Sequence, residues 1–166
     1  MSIPAKFNSL KALYITMRGF SDGADYRFSD DCSTWNLSQY TTRIGSRVIP
    51  SEPPSTIPQY VAEMERALGS ASSRISPSSY TLRQINTAIP VTTQGYSSCF
   101  AVGVETESYS SAPMGSVYQG LNTSTDDIFF QATFNAQASN TDVRFDAYAS
   151  YDQLITIDNG QITVQY

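Results

Sequence analysis

An all-β domain, an antiparallel β-sandwich with one short helix, is what this sequence specifies, and three observations carry that reading. The first is period-two alternation. Val143, Phe145, Ala147, Ala149 and Tyr151 alternate with Arg144, Asp146 and Ser150, and Ile128, Phe130, Ala132 and Phe134 share one side of the run before them. Successive strand side chains point to opposite faces, so alternation this long describes a sheet with one dry face and one wetter one. The second is composition. Only 15% of the residues are charged, against 11 Tyr and 8 Phe, whereas a typical globular chain is about a quarter charged. Aromatic and β-branched residues in a Ser- and Thr-rich background suit pleated, half-buried surfaces. The third is that helical periodicity is well signalled in one place, residues 57–68.

From the N-terminus, the first few residues read as a frayed start. Ser9 to Met17 reads as a strand buried on one side, and Gly19 to Asp31 as a loop with Asp22-Gly23 and Asp30-Asp31 as turn chemistry. Trp35 to Ile44 and Arg47 to Ile49 are strand pieces broken at Gly45, where a bulge or corner is expected. Pro50, Pro53 and Pro54 cannot donate to a ladder and make a rigid connector.

The helix is framed at both ends. Thr56 followed by Gln59 is the capping-box pattern, Pro58 falls in the first turn, and Gly69 is the expected stop. Ile57, Tyr60, Val61, Met64 and Leu68 make one apolar face. About three turns are too few to stand alone, so that face must lie on the sheet or on a neighbouring subunit.

Ser70 to Ser79 is a Ser-rich loop, Tyr80 to Ala88 a short strand, Ser97 to Glu107 a clear strand, and Ser108 to Asp127 a stretch without periodicity. Unpatterned stretches of that length are functional or packed on something outside the domain. Asn135 to Thr141 has turn composition. Leu154 to Ile157 and Ile162 to Tyr166 flank Asp158-Asn159-Gly160-Gln161, and Asn-Gly is the dipeptide of a type I′ hairpin. The inventory is about eight strands with long loops, which points to jelly-roll or Greek-key wiring.

A chain of 166 residues is one domain by length and buries roughly two-thirds of its unfolded surface. The net charge of −5 argues against nucleic acid as a direct ligand. No apolar run reaches the length of a membrane span, and no signal-peptide pattern precedes Phe7. Cys32 and Cys99 fit no metal spacing; one disulfide is open to them, but two reduced thiols are the preferred reading, and with them an intracellular place of folding.

The chain has no histidine. That removes Ser-His-Asp and Cys-His catalysis and the commonest zinc ligand. Phosphate-loop, nucleophile-elbow and dinucleotide glycine patterns are also missing. The remaining acid–base groups are carboxylates. Glu105 and Glu107 share a strand face, and Asp146 shares one with Ser150 and Asp152; such carboxylates usually form a solvated face, and a glycosidase would need two flanking a sugar. Asp126-Asp127 reads as a turn rather than a calcium loop. No catalytic, cofactor or metal residue is therefore assigned, and no enzymatic activity is expected. The residues singled out are candidate inter-subunit contacts: Arg43 and Arg47 for salt bridges, and Tyr60 and Met64 on the apolar helix face.

Leu10 to Tyr14 with Met17-Arg18, Arg43 to Pro50, the Pro-rich connector with its short helix, Gly120 to Thr123, and Tyr151 to Leu154 leading to Asn159-Gly160 together resemble one group. They are similar, in pattern and order over nearly the whole chain, to the C-terminal jelly roll of double-jelly-roll major capsid proteins. The nearest branch is that of Polintons, adintoviruses and virophage-like double-stranded DNA viruses, distantly related to adenovirus hexon. The resemblance implies a structural role in an icosahedral virion, three chains per capsomer, other capsid proteins as partners, no cofactor, and folding in the host cytoplasm or nucleus. The chain departs from that group in having room for one jelly roll. It is either the second half of a longer protein or a single-jelly-roll protein that assembles by itself. A different class of function, a carbohydrate- or receptor-binding module such as a lectin-like domain or viral spike, is suggested by the abundant Tyr, by Trp35 and by loop carboxylates.

Overall fold

Two antiparallel sheets face each other across an apolar core, and a third, two-stranded sheet stands outside them. This computed structural model describes residues 1–19, 36–69, 100–107, 120–135 and 143–165. The strands expected at Tyr80–Ala88 and before Asn36, the loops over 20–31, 70–79 and 108–119, the 136–141 turn and both cysteines lie outside the described residues.

In chain order the elements are β1 (Ser2–Ile3), β2 (Leu10–Gly19), β3 (Leu37–Ile44), β4 (Arg47–Ile49), α1 (Ile57–Leu68), β5 (Ala101–Glu105), β6 (Ile128–Phe134), β7 (Val143–Tyr151), β8 (Leu154–Asp158) and β9 (Gln161–Gln165). One sheet runs β1-β6-β3-β4, the facing one β5-β2-β7. Successive described strands therefore lie mostly in different sheets, and those that pair with their neighbour in this order are β3 with β4 and β8 with β9. All of the ladders are antiparallel.

Period-two alternation places the core. Tyr40 and Ile44 of β3, Ile128 and Phe130 of β6 and Ile3 of β1 face Leu13, Ile15 and Met17 of β2 and Val102 and Val104 of β5, all buried. Aromatic rings form a continuous series through this layer. Phe100 meets Tyr60 at 6.0 Å, Tyr60 meets Tyr40 at 5.8 Å, Tyr40 meets Phe130 at 6.0 Å, and Phe130 meets Phe145 at 6.0 Å. Tilted and edge-on pairs of this kind add about 0.5–1.5 kcal/mol each beyond the area they bury.

The helix bounds are those expected. The Gln59 side-chain oxygen accepts from the backbone N–H groups of Ser55 (2.9 Å) and Thr56 (3.0 Å), donors that α1 leaves unpaired at its start. At the other end Gly69, with φ of +53°, turns its N–H back onto the carbonyls of Glu65 and Arg66.

Three expectations are corrected. The start is not frayed: β1 pairs with β6, and the Met1 ammonium donates to the Phe130 carbonyl at 2.6 Å. Gly45 is neither bulge nor sheet corner but the first residue of a two-residue hairpin turn, since Ile44 opposes Arg47 directly. Its φ of +57° is the backbone setting a type II′ turn requires there. Finally, the described end of the unpatterned stretch is packed on this domain. Leu121 and Leu10 exchange backbone hydrogen bonds of 2.8 and 2.9 Å, and the buried Thr123 accepts from the Phe7 N–H at 3.0 Å.

Candidate assembly surfaces

The residues expected at an interface divide cleanly. Tyr60 is a core residue of this chain, 2% exposed, and its hydroxyl donates to the carbonyls of Leu37 (3.1 Å) and Ser38 (2.9 Å) on β3. Met64 is half-buried, with its backbone directly over Gly103 of β5. The apolar face of α1 thus covers the protein's own β5, and the Tyr14 hydroxyl of β2 ties the helix end by donating to the Ala67 carbonyl at 2.8 Å. An amphipathic pattern states that a cover is needed but not whose.

Arg43 and Arg47 are exposed, and neither meets a carboxylate among the described residues. Arg43 donates to the Gly45 carbonyl at 3.2 Å and lies over the Phe129 ring at 5.9 Å, a cation–π contact. The register sets these groups in a row across the outer face of the four-stranded sheet: Val48 opposes Arg43, Arg43 opposes Phe129, and Phe129 opposes Ser2. Val48 and Phe129 are 48% and 43% exposed. Sequence reasoning missed both. The available signal is Phe129 itself, an aromatic on the phase of β6 that otherwise carries Gln131 and Thr133.

The second exposed apolar surface is the β8–β9 ribbon. Asn159 and Gly160 have φ of +48° and +80°, the pair of positive values that a type I′ turn needs, and Asp158 opposes Gln161 across it. Ile155 opposes Val164 and Ile157 opposes Ile162, so these four aliphatic side chains share one face. They are 57%, 41%, 71% and 68% exposed. The other face carries Leu154, Thr156 and Asp158 opposite Gln165, Thr163 and Gln161. Tyr148 and Tyr151 of β7 are also exposed, the latter with its ring 4.7 Å from that of Phe7.

Among the described residues the carboxylates do not line a cleft opposite one another. Glu107 and Asp152 approach through a cation: the Lys11 ammonium lies 3.3 Å from one and 3.5 Å from the other. Burial pulls the Lys11 pKa down, and the Glu107 hydrogen bond with the charges of Asp152 and Glu107 outweighs it, leaving the ammonium held above its usual range. Asp152 also accepts from the buried Ser9 hydroxyl at 2.7 Å, and that hydroxyl accepts from the Gly120 N–H at 2.9 Å. This network joins the start of β2 to the end of β7. A protonated Lys11 has no lone pair with which to act as a base. Asp146 pairs with Arg144 at 3.0 Å, and Asp127 with Lys6 at 2.8 Å.

Against β6, with Met1 and Phe145 of β7 completing its walls, lies an open cleft of about 430 Å³ lined by Met1, Phe129, Phe130, Gln131, Ala132, Phe134 and Phe145. Its walls are mainly aromatic and offer few polar groups to orient a ligand. No family model matches the chain, and no curated protein or solved structure matches it significantly.

Proposed function

We propose that this domain is a structural building block of a viral capsid, a jelly-roll domain whose activity is assembly with copies of itself and with other capsid proteins. In that reading it folds in the host cell, makes or break no covalent bond, and serves in the virion as part of a three-chain capsomer. The observation that carries it is the Val48–Arg43–Phe129 row beside Arg47. Exposed apolar side chains stand there next to guanidinium groups that no carboxylate of the described chain neutralises. Arginine beside aromatic and aliphatic groups is the composition of interface centres, where its planar donors meet a partner's carboxylate.

The test is light scattering over a concentration series, with electron microscopy of the largest species. The protein is expected to form defined multiples of its own mass, and Arg43→Glu/Arg47→Glu to raise the concentration needed at least tenfold. A wild-type protein that stays monomeric at high concentration overturns the reading. The aromatic cleft favours one alternative, a carbohydrate- or receptor-binding module. That alternative predicts glycan-array binding that Phe145→Ala abolishes.

A further inference from the structure

Among the described residues the other sheet edges are blunted in ways that β9 is not, β8 itself carrying Asp158. An open edge offers unpaired N–H and C=O groups to any second strand, and natural sheets hide such edges or make them short, charged or proline-bearing. Here β1 has 2 residues, and β4 has 3 and runs into Pro50. The Tyr40 hydroxyl donates to the Gly103 carbonyl at 3.1 Å, and α1 packs against β5. β7 carries the Arg144–Asp146 pair. By contrast β9, Gln161-Ile162-Thr163-Val164-Gln165, has no charge and no proline, and all five residues are exposed. A ribbon of two strands is marginal in water without a third strand or a cover.

The sequence of β9 indicates what adds to it. Read in either direction it is Gln, aliphatic β-branched, Thr, aliphatic β-branched, Gln. Antiparallel pairing with a second copy about a twofold axis at Thr163 therefore sets Gln161 against Gln165, Ile162 against Val164 and Thr163 against Thr163. Hydrogen-bond polarity agrees with this register. In a two-residue hairpin the pair flanking the turn, Asp158 and Gln161, is hydrogen-bonded, so Gln161, Thr163 and Gln165 point their backbone groups at β8. Ile162 and Val164 then point theirs at the open edge, and those are the residues the twofold places opposite each other. We infer that β9 is a self-recognition edge, pairing antiparallel with β9 of a second copy to make a four-stranded β8-β9-β9-β8 sheet. The aliphatic side chains of both ribbons then form one continuous apolar face. The inference deepens the assembly reading and rests on it.

The contact is isologous, so one substitution reports it. Thr163 faces Thr163 in a non-hydrogen-bonded pair with Cα atoms about 4.5 Å apart, within disulfide range. In a Cys32→Ser/Cys99→Ser background, Thr163→Cys should give a covalent dimer under mild oxidation. Thr156→Cys, three strand spacings or roughly 14 Å from its mate, should not. Val164→Pro removes an outward N–H while leaving the β8–β9 ladder intact, and added to Thr163→Cys it should lower dimer yield at least tenfold. Equal cross-linking at positions 156 and 163 overturns the inference. If Thr163→Cys stays unlinked while the protein still forms larger species by light scattering, β9 pairing fails and the assembly reading stands. If it stays unlinked and the protein is monomeric, both fail.

Discussion

Gly103 of β5 lies so close beneath α1 that a Cβ built on it would sit 2.8 Å from the Met64 Cα and 2.9 Å from the Ala67 Cβ. The helix packs backbone-near on the strand because that position has no side chain. Two effects oppose each other in Gly103→Ala. Stiffening the unfolded chain favours the variant by about 0.4–1 kcal/mol. Forcing the helix outward costs about 1–3 kcal/mol, because the obstructing atoms are backbone and a neighbouring Cβ rather than a flexible tip. Overpacking wins, and urea denaturation should show a net loss of about 1–2 kcal/mol; a stabilised variant would refute the close approach.

Tyr60 joins α1 to β3 by its ring and by its hydroxyl. Tyr60→Phe keeps the ring contacts with Tyr40 and Phe100 and removes the donor to the Leu37 and Ser38 carbonyls. The expected loss is about 1–2 kcal/mol, from carbonyls left short of a partner. Tyr60→Ala, which also opens a cavity in the aromatic series, should cost about 3–5 kcal/mol. Equal losses for the two variants in urea titrations would mean that the hydroxyl carries the joint and the ring does not.

Legibility in the sequence followed the range of the interaction. The helix is readable because its signals lie within a few residues of each other, Thr56 to Gln59 at one end and Gly69 at the other. β6, β7 and the Asn159-Gly160 turn are readable for the same reason. The span of β4, Arg47–Ile49, is readable too, but 3 residues are too few to fix its pairing, and so Gly45 reads as a bulge or corner when it is a turn. The ribbon is legible as a hairpin but not as an outlier, because Ile155 and Ile157 alternate identically whether or not anything covers them. The Lys11–Glu107–Asp152 junction joins residues far apart in the chain and leaves no local trace. Of the four candidate contacts, Arg43 and Arg47 are at the surface while Tyr60 serves the core and Met64 the helix–strand joint.

Alkaline pH should be the destabilising direction. Lys11 is held above its usual pKa, and burial pushes the Tyr14 and Tyr60 phenols up as well. Each group keeps its proton to higher pH in the folded state than in the unfolded one. Its contribution is therefore complete below the unfolded values of 10.5 for Lys and 10.0 for Tyr, and is lost as pH rises through the folded values. Stability from these groups should be flat below about pH 9 and fall above pH 10, by at most about 1.4 kcal/mol per pH unit per group. Urea midpoints from pH 8 to 11.5 check this, and Lys11→Met and Tyr60→Phe should each flatten the decline. Parallel curves for wild type and variants would remove these groups as its cause.

Thr42 and Thr106 predict opposite outcomes for the same substitution. Both are buried, at 0% and 9% exposure. The Thr106 hydroxyl donates to the Leu10 carbonyl at 2.6 Å, whereas the Thr42 hydroxyl, on the inner face of β3 between Phe130 and Ile49, has no partner. A buried hydroxyl without a hydrogen bond costs about 1–3 kcal/mol relative to water. Valine has the same shape and the same stiffness at χ1, so Thr42→Val removes that cost without opening a cavity or straining a rotamer. It should stabilise the fold by about 1 kcal/mol and raise Tm by about 2–4 °C. Thr106→Val removes one of the two donors to the Leu10 carbonyl, the Leu121 N–H remaining, and should destabilise by about 1 kcal/mol. Differential scanning calorimetry of the two variants separates the cases by sign. Loss of stability in Thr42→Val would place a hydrogen-bonded water at that hydroxyl, where β3 otherwise presents an unpaired polar atom to the core.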